Sequence, residues 1–281
     1  MALTRTKWNL INIKARTNQT PLHYYSALKK LKEEDPLVFV AEDKAISIMS
    51  FGEHNAINPK TQTPDWVVIK IMSYVIVDPK GFYDKRERQI LDIEWSDDWV
   101  SNKKDTEVLF CFTNHTLAIK KKSPITLNRI KEYFQKGLDS IEPDTFDVDI
   151  ITDEGIISRI KSAYAILKID ADISFGNGGN AKGFRGLFVN KVKDLNPKTL
   201  KMTLEGTRSL PMLNSKDSLL DAIISCAERD GEVTATIQEM PGATFEKIDT
   251  TKHPREVNVE GERDSFWVNV WNHIRSLFRE E

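Results

Sequence analysis

The clearest local unit in the sequence is the stretch Glu107-Val-Leu-Phe-Cys-Phe-Thr-Asn-His-Thr-Leu-Ala-Ile-Lys120. It holds two runs rich in β-branched and aromatic residues, Glu107–Thr113 and Thr116–Lys120, with only Asn114-His115 between them. Two such runs joined by so short a connection are typical of a β-hairpin. Beyond Ser123-Pro124, apolar residues recur at helical spacing at Leu127, Ile130, Tyr133, Phe134 and Leu138. We therefore expect a hairpin followed directly by a helix.

The flanking sequence predicts an α+β fold with mixed sheets around this hairpin-helix unit. Upstream, apolar patterns predict strands at Lys7–Lys14, Ala45–Gly52 and Trp66–Val77. A helix is predicted from Pro21, after the first of these strands. Downstream lies an alternating strand-helix segment, in the order Phe146–Ile151, Glu154–Ser162, Tyr164–Ile173, Ala181–Leu195, Thr199–Leu204 and Ser218–Arg229.

The chain ends in a predicted aromatic helix with one broad apolar face. The aromatic residues of that face are Phe266, Trp267, Trp271 and Phe278. Because an uncovered apolar helix at a chain end would fray, this face must dock on the sheet of its own chain or on a second subunit. The four aromatic residues are therefore candidate interface residues, and a homo-oligomer is one expected state.

The length and composition of the chain limit the classes of protein to which it can belong. With 281 residues, 29% charged and 40% hydrophobic, the chain has the composition of a soluble globular protein. We expect an N-terminal α+β domain at 1–140 and a C-terminal one at 141–281, with one compact unit as the alternative. No apolar run could span a bilayer, and Cys111 and Cys226 do not make a disulfide framework. These features predict a cytoplasmic protein with no membrane association.

Three stretches together are similar to one known family. They are the hairpin and helix at 107–138, the segment 146–160, and the segment 219–254, which ends in Thr-Thr-Lys-His-Pro. The chain resembles a family of bacterial and mobile-element proteins that has a domain-of-unknown-function label and is frequently encoded among antiphage-defence genes. At 175–180 the family has a basic-Pro-Asn-acidic turn, to which only Asn177 corresponds. The resemblance implies a defence setting and supplies no active site.

Basic and glycine-rich segments are candidates for binding the phosphates of a nucleic acid. The run Phe175-Gly-Asn-Gly-Gly-Asn180 separates a predicted strand from a predicted helix, so its backbone amides could cradle a phosphate. The alternative for this run is a flexible turn. The candidate residues are Lys120, Lys121, Lys122, Asn177, Lys182, Arg185, Lys252 and His253. Because the pI is about 6.3, such a surface must be local.

A second hypothesis is a metal-dependent nuclease. Asp65 and the later pair Asp78 and Lys80 loosely match the spacing with which restriction-type nucleases hold a divalent metal. Pro79 weighs against this hypothesis, because proline cannot donate within a central strand.

Acidic residues also cluster in the predicted strand at 146–151. Asp147 and Asp149 fall on one face of that strand, which could attract a cation. Since apolar residues alternate with them, we expect instead a half-buried strand with a solvated acidic face. The five histidines show no ligand spacing, so neither a metal site nor a cofactor is expected.

The function expected from the sequence is that of an accessory or sensor protein of antiviral defence. It would bind nucleic acid or a co-encoded defence protein without catalysing a reaction. The alternatives are the metal-dependent nuclease and a pure protein-interaction module.

Overall fold

The computed structural model describes residues 4–52, 57–77, 82–90, 96, 99–174, 186, 191–192, 197–215, 218–228, 230–261 and 266–278. The strands are β1 (Thr4–Ala15), β2 (Val38–Ala41), β3 (Lys44–Gly52), β4 (Trp66–Ile76), β5 (Tyr83–Asp84), β6 (Gln89–Ile90), β7 (Val100–Cys111), β8 (Thr116–Lys120), β9 (Phe146–Ile150), β10 (Ala165–Ser174), β11 (Thr199–Glu205), β12 (Gly231–Gln238), β13 (Glu246–Asp249) and β14 (Glu256–Gly261). The helices are α1 (Pro21–Glu34), α2 (Leu127–Ile141), α3 (Glu154–Lys161), α4 (Leu219–Cys226) and α5 (Phe266–Leu277). The α+β class is confirmed, and none of these helices is long and apolar enough to cross a membrane.

The predicted hairpin forms, but its first strand ends two residues early. β7 pairs with β8 up to Cys111 opposite Thr116, and His115 adopts a φ of 56° in the turn. Phe112 lies in the turn, where its N–H donates at 3.1 Å to the carbonyl of Asp65, the next residue in the register of β4 with β7, and its ring packs 5.0 Å from that of Phe110. The turn thus includes Phe112 and Thr113, at which the sequence pattern predicts a strand.

The hairpin lies at the centre of the larger sheet, whose order is β14-β1-β8-β7-β4-β3-β2. Helices α1 and α2 cover one face of this sheet, and their apolar residues share a core with Ile11, Phe110 and Ile119. The buried face of α2 includes Tyr133 and Phe134, as the helical spacing predicted. The hairpin-helix unit is therefore the centre of the first core.

Helix α5 packs against the opposite face of the larger sheet. The cluster beneath it includes Trp8, Leu10 and Leu109, together with the fully buried helix residues Val270 and Ile274. Alternating residues of β1 thus serve two cores, because successive side chains of a strand point to opposite faces.

The smaller sheet has the order β11-β10-β12-β13, and α3 and α4 share its core. Asp153 caps α3, as a residue of its type at that position would, because its side chain accepts a hydrogen bond from Gly155 N at 2.9 Å. Ser218 caps α4, which begins one residue after the predicted start and ends at Cys226, short of the predicted Arg229.

Hydrogen bonds cross the expected boundary near residue 140. β9 pairs antiparallel with Ile11–Ala15 of β1, and β14 pairs with Thr4–Asn9 on the same side of that strand. Both strands, like α5, come from the C-terminal half of the chain. The division into domains at 1–140 and 141–281 stays a prediction, and most of the predicted helix Ala181–Leu195 lies outside the described residues.

Candidate functional site

Strand pairing brings lysines from two separate segments together at the exit of the hairpin. The register of β1 and β8 places Lys120 opposite Trp8, and Lys121 N then donates to the carbonyl of Lys7 at 2.8 Å. Lys122 follows and is exposed. We call Lys7, Lys120, Lys121 and Lys122 the basic strip. Lys7 was not predicted as a site residue from the sequence, because its strand was predicted without its neighbours in the sheet.

The side chain of Lys120 lies among three aromatic rings. Its Nζ is 5.7 Å from the ring centroid of Trp8, 5.7 Å from that of Phe266 and 5.5 Å from that of Trp267. The three rings also pack on one another, with centroid separations of 5.6 to 5.8 Å. We call Trp8, Phe266 and Trp267 the aromatic cage. At these distances the negative face of an aromatic ring attracts an ammonium group electrostatically.

Lys121 and Lys7 share one acidic partner on β14. Lys121 Nζ forms an ion pair with Glu256 Oε1, and Lys7 Nζ lies 3.8 Å from Glu256 Oε2. All three side chains keep about a third or more of their surface exposed, so water screens these pairs and they contribute little to stability.

The two predicted residues Lys252 and His253 lie on a separate turn. Thr250–Lys252 form a short 3-10 helix, and Lys252 Nζ lies 3.5 Å from Asp249. The carbonyl of His253 accepts a hydrogen bond from Asp153 N at 2.9 Å, which docks the turn on the start of α3, while the side chain is exposed. The backbone of this turn is therefore structural.

Several other predicted residues fall outside the described residues, namely Asp78, Lys80, Asn177, Lys182 and Arg185. Asp65, the remaining nuclease candidate, lies just before β4, and its side chain accepts a hydrogen bond from Asn58 Nδ2 at 3.0 Å. The nuclease hypothesis and the phosphate cradle both stay predictions.

The candidate interface residues of α5 all pack against the larger sheet of their own chain. Phe266, Trp267, Trp271 and Phe278 are partly buried on the cluster around Trp8 and Leu10. Asn114 of the hairpin turn also donates to the carbonyl of Ile274 at 3.3 Å. The helix thus has cover without a second subunit, and a homo-oligomer stays a prediction.

A buried group of charged side chains joins the two sheets. Lys14 Nζ donates to Asp230 Oδ1 at 2.6 Å, and Arg16, which pairs with Asp147 of the same sheet at 2.9 Å, also donates to the carbonyl of Lys198 beside β11 at 2.9 Å. Ser174 Oγ at the end of β10 donates to Asp149 Oδ2 at 2.6 Å. We call these contacts the ionic junction.

The expected solvated acidic face of β9 is therefore wrong. Asp147 is 5% exposed, and Lys14 is 7% exposed, because the end of the smaller sheet covers this part of the larger one. Burial raises the pKa of Asp149 to about 6, an effect that the hydrogen bond from Ser174 opposes. Burial also raises the pKa of Asp147, against the influence of Arg16. Asp147 and Asp149, which the sequence pattern places on one face of β9, therefore have structural contacts in the ionic junction.

An open cavity of about 620 Å³ lies between the polar face of the smaller sheet and the start of α2. Its lining includes Asp172, Lys201, Glu232 and Lys131. These charges pair with each other, Lys201 with Asp172 at 3.0 Å and Lys131 with Glu232 at 3.7 Å. Because Asp170 and Asp249 also line it, the cavity is polar and has more acidic than basic side chains.

Among the described residues, no group of three His, Cys, Asp or Glu side chains is arranged to hold a metal ion. Two histidines have structural contacts: the ring of His115 stacks 4.2 Å from that of Tyr24, and His23 Nε2 lies 2.8 Å from Glu142. Among the candidate residues, the exposed lysines of the basic strip, Lys7, Lys121 and Lys122, are therefore the groups available for binding.

The fold and site define an α+β protein with a local lysine surface and a buried charged junction between its two larger sheets. The family described as Domain of unknown function (DUF4747) matches residues 4–277, so the chain belongs to that family. This match confirms the resemblance to a domain-of-unknown-function family. No curated protein matches the chain.

Proposed function

We propose that this protein is a non-catalytic accessory or sensor protein of antiviral defence that binds nucleic acid through the basic strip. The observation that carries the proposal is the pairing of β1 with β8, which adds Lys7 to the three consecutive lysines at the hairpin exit. Four cations at one strand end can contact successive phosphates and release their counterions. An overall net charge of -2 fits a local contact surface better than non-specific coating of DNA.

The contacts of the titratable groups support a binding role over a catalytic one. Asp147 and Asp149, the acids that shared a strand face, hold Arg16 and Ser174 in the ionic junction. His23 and His115 are likewise engaged in hydrogen bonding and ring stacking. The defence setting rests on the family resemblance, in which a co-encoded protein would receive the signal.

A protein-interaction module is the second candidate, favoured by exposed apolar side chains on the loop that follows β11 of the smaller sheet. Leu210 is 79% exposed and Leu213 is 68% exposed, and both flank Met212, which bridges to Ile166 of β10. Such side chains on a monomer are typical of protein contacts when they form a patch.

Binding of labelled single- and double-stranded DNA and RNA, measured across salt concentrations with and without magnesium, tests these functions. We expect binding that weakens steeply with salt and no cleavage. Cleavage that requires magnesium would favour the nuclease instead. Absence of binding to all four ligands at low salt would leave the protein-interaction module.

A further inference from the structure

Two of the three consecutive lysines have their charges engaged within the protein. Lys120 lies in the aromatic cage, and Lys121 is paired with Glu256. Lys7 shares Glu256, whereas Lys122 is exposed. The surface that the chain offers to phosphates is therefore smaller than its lysine content implies.

A cation that already has a partner must leave it before it can contact a phosphate. Lys121 and Lys7 would exchange a carboxylate for a phosphate. Lys120 would exchange its contacts with three aromatic rings for a contact with one phosphate. Each exchange subtracts the lost contact from the free energy of binding. The partners belong to β14 and α5, which are both elements from the end of the chain.

We propose that the aromatic cage forms an autoinhibitory contact, which keeps Lys120 of the basic strip from nucleic-acid phosphates until the first turn of α5 shifts. Glu256 of β14 holds back Lys121 in the same way, independently of α5. The inference rests on the proposed function. Because linkage is reciprocal, binding of nucleic acid at the strip weakens the docking of the first turn of α5 to the same extent that release of α5 strengthens binding. Binding of nucleic acid at the basic strip would thus be detectable as weaker docking of α5.

A double-mutant cycle between Lys120 and Trp267 tests the contact. The probe is a fluorescein-labelled single-stranded oligothymidylate titrated at several salt concentrations. Trp267→Leu is expected to raise affinity several-fold and to steepen the salt slope by about 0.7, the value for one phosphate contact on a single strand. Lys120→Gln is expected to lower affinity by no more than about twofold in the wild type and by about fivefold in the Trp267→Leu protein.

A second cycle uses Glu256→Gln and Lys121→Gln, whose side chains are exposed enough for both variants to fold. Glu256→Gln should raise affinity, and Lys121→Gln should cost more affinity in its presence. Glu246→Gln is the matched control, because it also removes one charge from an exposed ion pair, that of Glu246 on β13 with Arg159 on α3. If Glu246→Gln raises nucleic-acid affinity as much as Glu256→Gln does, the change in net charge alone explains the gain. That result would overturn the inference.

Failure of the inference and failure of the proposed function give different results. If the wild type binds and both cycles are additive, the proposed function stands and the autoinhibitory contact is refuted. If the wild type and both releasing variants fail to bind at the lowest salt, the nucleic-acid function itself is refuted. Retained helical circular dichroism in each variant establishes that the comparison is between folded proteins.

Discussion

The basic strip and the ionic junction both combine lysine or arginine with carboxylates, but they differ in their exposure to water. In the strip, about half of the Lys121 side chain and a third of Glu256 remain exposed. In the junction, the side chains of Lys14 and Asp147 are 8% and 7% exposed. Screened pairs are weak and easily exchanged, whereas breaking one partner of a buried pair leaves an uncompensated charge. Exposure to water therefore distinguishes the two regions. The exposed lysines of the strip can exchange their carboxylate partner for a ligand, whereas the buried pairs of the junction hold the two sheets together.

The largest effect is expected in the junction. Asp147→Ala would leave the partly buried Arg16 beside β9 without its carboxylate, and should lower the free energy of unfolding by about 3 kcal/mol. Urea denaturation measures this loss. The matched control is Glu260→Ala, which removes the partner of exposed Arg5 and should cost less than about 1 kcal/mol.

Replacing both partners distinguishes a buried charge from lost packing. The double variant Arg16→Met with Asp147→Leu removes the charges together and should recover most of the stability lost by Asp147→Ala. If the double variant is as unstable as Asp147→Ala, the lost free energy of unfolding comes from packing and not from an unpaired charge. The strip and the junction would then differ less in their electrostatics than we infer.

A smaller effect is expected from the titration of Asp149. Burial raises its pKa in the folded protein from the ordinary value of 3.8 to about 6, so the native state keeps a proton that the unfolded chain has lost. The free energy of unfolding should therefore fall as the pH rises between these two values, by about 2 to 3 kcal/mol from this group.

Asp149→Asn should remove that part of the pH dependence, because the amide does not ionise. Thermal or urea unfolding of both proteins at about pH 4 and about pH 8 measures the difference. The variant should gain stability relative to the wild type at the higher pH. A constant difference between the two proteins across this range would mean that Asp149 titrates normally.

Local patterns in the sequence were sufficient for the hairpin, for α2 and for the Asp153 cap. In each case the residues that form the element lie within one short segment, and the apolar spacing follows from the geometry of a strand or a helix. Phe112 is the exception, since it lies in the turn although its residue type favours a strand.

The two charged regions could be predicted only in part. Strand periodicity placed Asp147 and Asp149 on one face, but their burial depends on Ser174 and Asp230, which reach them through the smaller sheet. Likewise, the run at Lys120 was visible as charge, whereas its aromatic cage joins the first strand to the last helix. A periodic pattern gives the direction of a side chain and leaves open which distant element covers it.

The central claim is that the basic strip is where this protein contacts nucleic acid. Its most direct test is the slope of log affinity against log salt for wild type and for the variant in which Lys7, Lys120, Lys121 and Lys122 are all changed to Gln. A control changes Lys60, Arg208 and Lys247, which are exposed elsewhere, and Lys103, exposed on β7, to Gln in the same way. We predict that the slope falls by at least about one for the strip variant and stays nearly unchanged for the control. Equal slopes for the strip variant and the wild type would contradict the account.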